Sequence, residues 1–597
     1  MGFAAQSPLK ARAMDWLGML GQHPQFVELL AAIRALPEPT FSAEDAAALA
    51  ALSALLQHAV AELALVFADA GGVDHTAISA AARQALSHSD GSELAIHQGD
   101  QLRHILVDEF QDTSVEQFEL IEGLIDQWQP GEARSLFLVG DPMQSIYQFR
   151  EAEVALFMRA RDEGIAGWPL EFLSLTRNFR SQPAIVQFVN DCFSKVFPPI
   201  DDRRTGAVRY HPSAAATAKP AALPSGVHCW RVPVGDPEVE ADRVLHIVQQ
   251  ARIQNGAASI AVLVAARPHS VAIATALRRS GIATRGVDLV PIMEMPVIQD
   301  LLALTRAMLS PADRIAWLAI MRAPWCGLQL EALTEWLLRD SPGTSVIEAL
   351  RRYDAANSLP MGDAHRLEQM RDVLLDGIER LQQSPLALVV ESIWLRLGGP
   401  ACYASSTVLS DAEEFFVALR AEEDRGPIKG VADLERLLGG LYAASEGDAA
   451  EAVQIMTIHR AKGLEFDCVI LPGLGRGAPP DADPLLQWLE WVQADGQVDL
   501  LLSPIRPAGQ DAGALSRWMR EVAAQRRRHE RARVLYVAAT RARAALHLLG
   551  AVPEATRDDR DAAPRSGTAL GTLWSALSPL FLSQRPEASD AGAGADD

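Results

Sequence analysis

Along the first hundred residues apolar positions recur three and four apart among alanines and leucines, the period of helices. The longest run, Ala46 to Phe67, is broken by Gln57, His58 and Glu62 and is read as an amphipathic helix rather than a membrane span. Ser42, with Asp45 three residues on, supplies a capping signal at its start. Past residue 100 the pattern changes to short apolar runs, Ile105-Leu106-Val107 and Leu136-Phe137-Leu138-Val139, which predict strands. Each ends in an acidic residue or Gly-Asp, as parallel strands do where they meet a ligand. Ser114, three residues before Gln117, caps the helix expected after the first of them. A Pro-, Ala- and Ser-rich stretch at 198–226 reads as a linker. Strand-like runs resume at Val227–Val232 and Ile260–Val264, residues 297–445 are mostly helical, and a last α/β portion from Val453 to Gly550 closes on a strand at Ala544–Leu549. The tail from 551, ending SDAGAGADD, is expected to be largely disordered.

Composition changes this picture little. Hydrophobic residues make up 49% and charged residues 22%, an ordinary globular balance, spread over 597 residues. That length suggests about three to five compact units. With 54 basic and 76 acidic residues the net charge is −22, which disfavours a general nucleic-acid coat but not a narrow strand-gripping channel. The five cysteines (Cys192, Cys229, Cys326, Cys402, Cys468) show no CxxC spacing, which argues against zinc, iron–sulfur or disulfide frameworks. The opening MGFAAQSPLKARAMDW lacks the apolar core of a signal peptide, so a soluble cytoplasmic protein without a membrane role is expected.

The chemistry concentrates in ILVDEFQDT, residues 105–113. An apolar strand there delivers two adjacent carboxylates, costly to place together without a cation, so a metal–phosphate site explains the pairing. An isolated Asp-Glu after a strand is more often a surface pair, but the full string DEFQDT is far more specific. It is followed by LVGDPMQSIYQFREA (138–152) and LTRNFRS (175–181), then by VQIMTIHRAKGLEFDCVILP (453–472) and VLYVAATRARAAL (534–546). In this order the strings resemble motifs II to VI of superfamily 1 DNA helicases of the UvrD/Rep type. DPMQSIYQFR and LYVAATRAR lean toward the RecB and AddA branch. Arg285 to Leu309 also resembles the family's entry into an inserted domain.

The resemblance implies ATP and Mg²⁺ as cofactors and single-stranded or duplex DNA as partner. It implies that Asp108 holds Mg²⁺, that Glu109 activates water, and that Gln144 contacts the γ-phosphate and reports its loss to the DNA site. Arg180 and Arg541 match the two arginines that meet the γ-phosphate, an effect worth about 10³ to 10⁵ in rate in related hydrolases. Phe179 matches the ring that stacks on adenine; Gly463 and Glu465, in KGLEF, match the ribose-binding loop. On the DNA side, Tyr147 and Phe149 match base-stacking aromatics supported by Arg150, with Thr457 and His459 at backbone-contacting and coupling positions. Stacking is worth about 1 to 3 kcal/mol per base and ignores sequence, as a translocating motor requires. The cluster Arg526, Arg527, Arg528, Arg531 and Arg533 is read first as a solvated helix face, and PGLGRG (472–477) as a plain loop.

The dipeptide Gly-Lys is absent from the chain, and with it the Walker A loop, Gly-x-x-x-x-Gly-Lys-Ser/Thr. The expectation is an N-terminally truncated α/β protein. Two RecA-like P-loop NTPase motor domains, the first incomplete, would carry helical insertion domains. The expected division is a helical remnant at 1–100, part of the first motor at 101–180, the second motor at 181–296 and 446–550, and a helical insertion at 297–445. The implied function is ATP-dependent 3′–5′ helicase or translocase action in DNA repair or recombination. Turnover by the isolated chain should be negligible without the loop's preorganised charge. A non-hydrolysing single-stranded-DNA or partner-binding module is the alternative. A polypeptide carrying the loop, or a nuclease subunit, is the implied partner; the tail shows no Asp…Glu-x-Lys pattern, so no nuclease activity is expected.

Overall fold

A computed structural model describes residues 8–87, 102–216, 221–286, 292–338, 345–353, 361–441, 452–477, 484–492, 498–504, 513–552 and 563–582, apart from a few isolated positions within these ranges. The stretch 287–291 of the insertion-entry segment and the terminal SDAGAGADD lie outside the described residues. The chain divides into two compact units, 1–218 with 474–540 and 552–597, and 219–473 with 541–551. In this division residues 183–218 fall with the first unit, where Phe193 and Phe197 pack against Tyr536.

The first unit opens with helices α1 (Pro8–Gly21), α2 (Ala43–Ala70) and α3 (His75–Ser87). Ser42 accepts the Asp45 N–H and Gly71, at φ 62°, closes the other end of α2, as capping chemistry requires. None of α2 is buried, and its Leu55, Leu56, Val60, Leu63, Leu65 and Val66 are exposed. The expected contrast between faces is weak, since alanines fill the half of the helix opposite most of its leucines and valines. By length and composition this helix is long and apolar enough to cross a membrane.

Strands β1 (His104–Val107) and β2 (Ser135–Leu138) pair in parallel, Ile105 opposite Leu136 and Val107 opposite Leu138. Helices α4 (Val115–Ile125) and α5 (Val154–Glu163) cover the face bearing these four residues, around Phe110, Phe118, Ile121 and Leu156. Alternation sends Leu106 and Phe137 to the opposite face, where both are exposed. Ser114 caps α4 through a full capping box with Gln117. A two-residue strand β3 (Arg177–Asn178), helix α6 (Pro183–Val196) and β4 (Ala214–Ala215) complete this part. The stretch read as a linker is instead packed where it is described. Ala207 and Val208 are buried, and Tyr210 gives its hydroxyl proton to Asn190, because apolar residues interrupt the small polar ones.

The second unit holds β5 (Gly226–Val232), α7 (Pro237–Gln254), β6 (Ile260–Val264), α8 (Val271–Arg279) and β7 (Thr284–Gly286). Its helical part runs from α9 (Pro296–Leu309) to α16 (Val431–Leu438) around Trp317, Ile320, Val390, Phe415 and Leu434. Then come β8 (Val453–Thr457) and β9 (Phe466–Leu471). The chain returns to the first unit for the hairpin β10 (Leu486–Val492) and β11 (Val498–Pro504) and for the long helix α17 (Ala514–Ala539). It goes back once more to supply β12 (Ala542–Ala551). The sheet of the second unit is parallel and six-stranded, in the order β5-β12-β9-β6-β8-β7. β6, Ile-Ala-Val-Leu-Val, is buried at every position, the mark of a parallel strand covered on both faces.

The tail expected to lack structure contains a last helix, α18 (Ala569–Leu582). Its Leu570, Leu573, Leu577 and Phe581 recur at helical spacing and are buried beside α6 and α17, enough apolar surface to order it.

Candidate functional site

The backbone turns sharply after β1. Glu109 adopts a left-handed conformation, φ 53°, which for a non-glycine residue costs about 1 to 2 kcal/mol and is held only by its surroundings. The Glu109 N–H donates to Asp108 Oδ1 at 2.9 Å, and a 3₁₀ turn over Phe110–Asp112 follows. The Phe110 N–H reaches Val139 O at 2.8 Å, anchoring this turn to the end of β2. Both carboxylates are thereby delivered, exposed, at the C-terminal edge of the parallel pair.

Gln111, fully buried, joins this turn to the next motif. Its Nε2 donates to Glu109 Oε2, and its Oε1 accepts the Asp141 N–H at 2.9 Å. Asp141 in turn caps a 3₁₀ turn over Pro142–Gln144, accepting the Met143 N–H at 2.9 Å and the Gln144 amide at 2.8 Å. One hydrogen-bonded chain therefore runs Glu109–Gln111–Asp141–Gln144. Gly140 makes it possible: a Cβ there would overlap Gln111 Oε1 and come within 3.1 Å of the Phe157 ring. Sequence reading named the two ends of this chain and missed Gln111, Gly140 and Asp141, although all three lie inside the quoted motifs.

Three and five residues further on, Tyr147 and Phe149 set their rings 5.8 Å apart, edge to face, with the Arg150 guanidinium 5.4 Å from one centroid and 5.6 Å from the other. Phe149 is 65% exposed. Asn178 Oδ1 accepts the N–H groups of Arg180 and Ser181, and this side-chain turn presents Phe179 and Arg180 at the surface.

In the second unit Thr457 ends β8 and leads into the 3₁₀ turn Ile458–Ala461, which carries the half-buried His459. Gly463, at φ 82°, then allows the turn that exposes Glu465. Arg541, almost wholly buried, donates to Leu464 O at 3.2 Å, and its carbonyl accepts the Phe466 N–H at 2.9 Å, bracing this loop from both sides. Arg543 lies 3.8 Å from Glu465 and 3.7 Å from Asp467. Gly473 donates its N–H to the buried Glu240, a fixed loop in which the PGLGRG glycines serve the backbone.

The arginine cluster on α17 departs from its reading as a solvated face. Arg527 and Arg528 are exposed, but Arg533 is buried, its Nε donating to Ser145 O at 2.6 Å and its Nη1 to Gly206 O at 2.7 Å. Burial pushes its pKa down to about 10, against the pull of Glu530 and Glu153. Arg526 donates to the carbonyls of Arg204 and Glu490. The correction has a simple cause: helical spacing turns alternate charges of a run toward opposite sides of the helix.

The UvrD/REP helicase N-terminal domain model matches residues 13–164, and the UvrD-like helicase C-terminal domain model matches residues 173–346 and 419–551. Among curated proteins the chain is 26% identical over 536 residues to an ATP-dependent helicase/nuclease subunit from Oceanobacillus iheyensis, covering 77% of this chain and 40% of that protein. It is 28% identical over 512 residues to the protein of the same name in Desulforudis audaxviator, covering 75% and 39%. For that of Bacillus cytotoxicus the figures are 27% over 554 residues, 82% and 43%. The chain thus spans about two fifths of the length of the curated relatives it matches.

Proposed function

Because the chain belongs to the UvrD-like helicase family, we propose that it forms motor parts of a cytoplasmic, ATP-dependent 3′–5′ DNA helicase or translocase acting in repair or recombination. The observation that carries this reading is the bonded chain Glu109–Gln111–Asp141–Gln144. It ties a water-activating carboxylate to a γ-phosphate-contacting amide, a few residues before an aromatic pair able to stack on bases.

On this reading Glu109 orients and deprotonates water while Gln144 touches the γ-phosphate. Arg180 and Arg541 stabilise the charge that develops there. Phe179 stacks on adenine, and Gly463 and Glu465 hold the ribose. Tyr147, Phe149 and Arg150 grip unpaired bases, with Thr457 and His459 on the strand backbone. Among the described residues no group of three or more His, Cys, Asp or Glu is placed to hold a metal by itself. That fits Mg²⁺, which takes one or two carboxylates and completes its shell with phosphate oxygens and water, so Asp108 is its protein ligand. Bound there, it would neutralise phosphate charge.

The sequence contains no Gly-x-x-x-x-Gly-Lys-Ser/Thr run, which favours a second reading, a DNA- or partner-binding module that does not hydrolyse ATP unaided. Exposed Leu106, Phe137 and Val139 on the open face of the β1–β2 pair, and Leu175 at 96% exposure, support completion of this unit by a loop-bearing segment from a partner. A nuclease subunit is a further partner of this kind of motor. The test is steady-state ATP hydrolysis by the purified chain with Mg²⁺, with and without single-stranded DNA. Negligible turnover is expected. DNA-stimulated turnover abolished by Glu109→Gln would overturn the inactivity of the isolated chain and establish it as a complete motor.

A further inference from the structure

Arg526, Glu530 and Arg533 stand four and three residues apart on α17, one stripe of the helix, and all three reach the same neighbouring segment or its supports. Arg533 fixes two carbonyls at once, Ser145 O and Gly206 O, with a planar fork whose geometry allows little play. Glu530 accepts the Gln148 N–H at 3.0 Å. Gln148 is the first residue of the 3₁₀ turn that carries Phe149 and Arg150, and Tyr147 is its cap. Arg526 lies 3.6 Å from Glu153, whose N–H donates to Thr113 O beyond the carboxylate turn.

The segment so held does not hold itself. Glu151 is left-handed at φ 63°, a strained state for a glutamate that persists only when surrounding bonds impose it. Its internal bonds, Arg150 N–H and Ala152 N–H to Tyr147 O and Glu151 N–H to Gln148 O, close short turns on this segment alone and do not tie it to the rest of the unit. The stripe is also costly to bury unless its groups are satisfied. A guanidinium removed from water costs several kcal/mol when left unpaired, so Arg533 stays only while both carbonyls stay.

We propose that the Arg526–Glu530–Arg533 stripe of α17 is a positioning device for the DNA-stacking pair: it clamps the backbone of residues 145–153 and so sets the rings of Tyr147 and Phe149. The inference rests on the reading of those rings as base-stacking groups. On this proposal none of the three residues contacts DNA; Glu530 and Arg533 act through the backbone they hold, and Arg526 through the Glu153 carboxylate.

The experiment uses the full chain and a fluorescein-labelled oligothymidylate, read by anisotropy. Amide hydrogen exchange over residues 145–153 is followed in parallel. Glu530→Ala is expected to bind about tenfold more weakly, the value of roughly one stacking contact, and to exchange the Gln148 amide faster. Glu530→Gln keeps an acceptor oxygen for that N–H and should restore both signals, whereas Glu530→Met keeps the volume without a comparable acceptor and should behave like Glu530→Ala; a merely space-filling role would be satisfied by either. Arg533→Lys keeps the charge but not the fork and should fall between them. Wild-type affinity and exchange in Glu530→Ala overturn the clamp. If Phe149→Ala binds as tightly as the wild type, or the wild type itself leaves the oligonucleotide free, the stacking reading fails. The proposal then falls with it, even where exchange shows 145–153 loosened.

Discussion

Replacing Gly140 by alanine tests whether the buried Gln111 link holds the carboxylate turn in place. The added Cβ would overlap Gln111 Oε1, with the Phe157 ring at 3.1 Å and the Gln111 backbone nitrogen at 3.2 Å, so the glutamine side chain has to leave. Leaving breaks its bond from the Asp141 N–H and its bond to Glu109 together. Overpacking costs about 1 to 3 kcal/mol. A buried polar group left unpaired costs about 1 to 3 kcal/mol more, so a total of roughly 2 to 6 kcal/mol is expected. Spread over a unit of this size, that lowers its unfolding midpoint by roughly 3 to 9 °C. Because the two units need not unfold together, hydrogen exchange in peptides from residues 102–164 is the proper readout, with calorimetry beside it. Gly256→Ala, whose Cβ would come no nearer than 3.9 Å to Arg252 O, serves as control and should change little. Equal protection and an equal midpoint in Gly140→Ala would show that Gln111 moves cheaply and does not fix Glu109.

Two further expectations follow from burial. In the second unit the Trp230 indole donates to His547 Nδ1 at 3.1 Å and the rings of His228 and His547 stack 4.9 Å apart. Burial, with His228 beside it, depresses the His547 pKa to about 3. The unfolded chain then binds this proton first, so stability is full above about pH 6.5 and is lost as the pH falls toward 3; His547→Phe should flatten that slope in thermal melts. In the first unit, Phe581→Ala on α18 removes a fully buried ring and should cost about 3 to 5 kcal/mol, read as faster exchange in α6 and α17. An unchanged exchange pattern would mean that α18 adds no stability.

Much of the site was legible because motif and period agree at it. An apolar run ending in Asp108-Glu109 can hardly be anything but a strand delivering carboxylates, and the Ser114 cap needs only local spacing. What stayed hidden depends on partners distant in sequence. Gln111 looks like one more polar residue until Asp141, thirty residues away, returns beside it. The α17 arginines looked solvated because charge was counted without the helix phase, and Glu530 passed unnoticed between them. Apolar spacing at Leu570, Leu573, Leu577 and Phe581 was visible, but the surrounding small and polar residues outweighed it. For α2 the error ran the other way: three polar residues suggested a strong contrast between faces that alanines opposite the leucines largely remove.

The place of β12 in its sheet bears on how the protein is made. Among the described strands β5 has β12 as its only neighbour, and their paired residues lie about 320 positions apart. A ribosome adding roughly 5 to 20 residues per second needs about 15 to 65 s to pass from one to the other. Throughout that interval β5 has an unpaired edge, and Leu549, Leu546 and Leu548, which will seal the sheet, do not yet exist. The nascent chain therefore exposes that edge to holding chaperones, and the second unit completes its sheet only once β12 has been made.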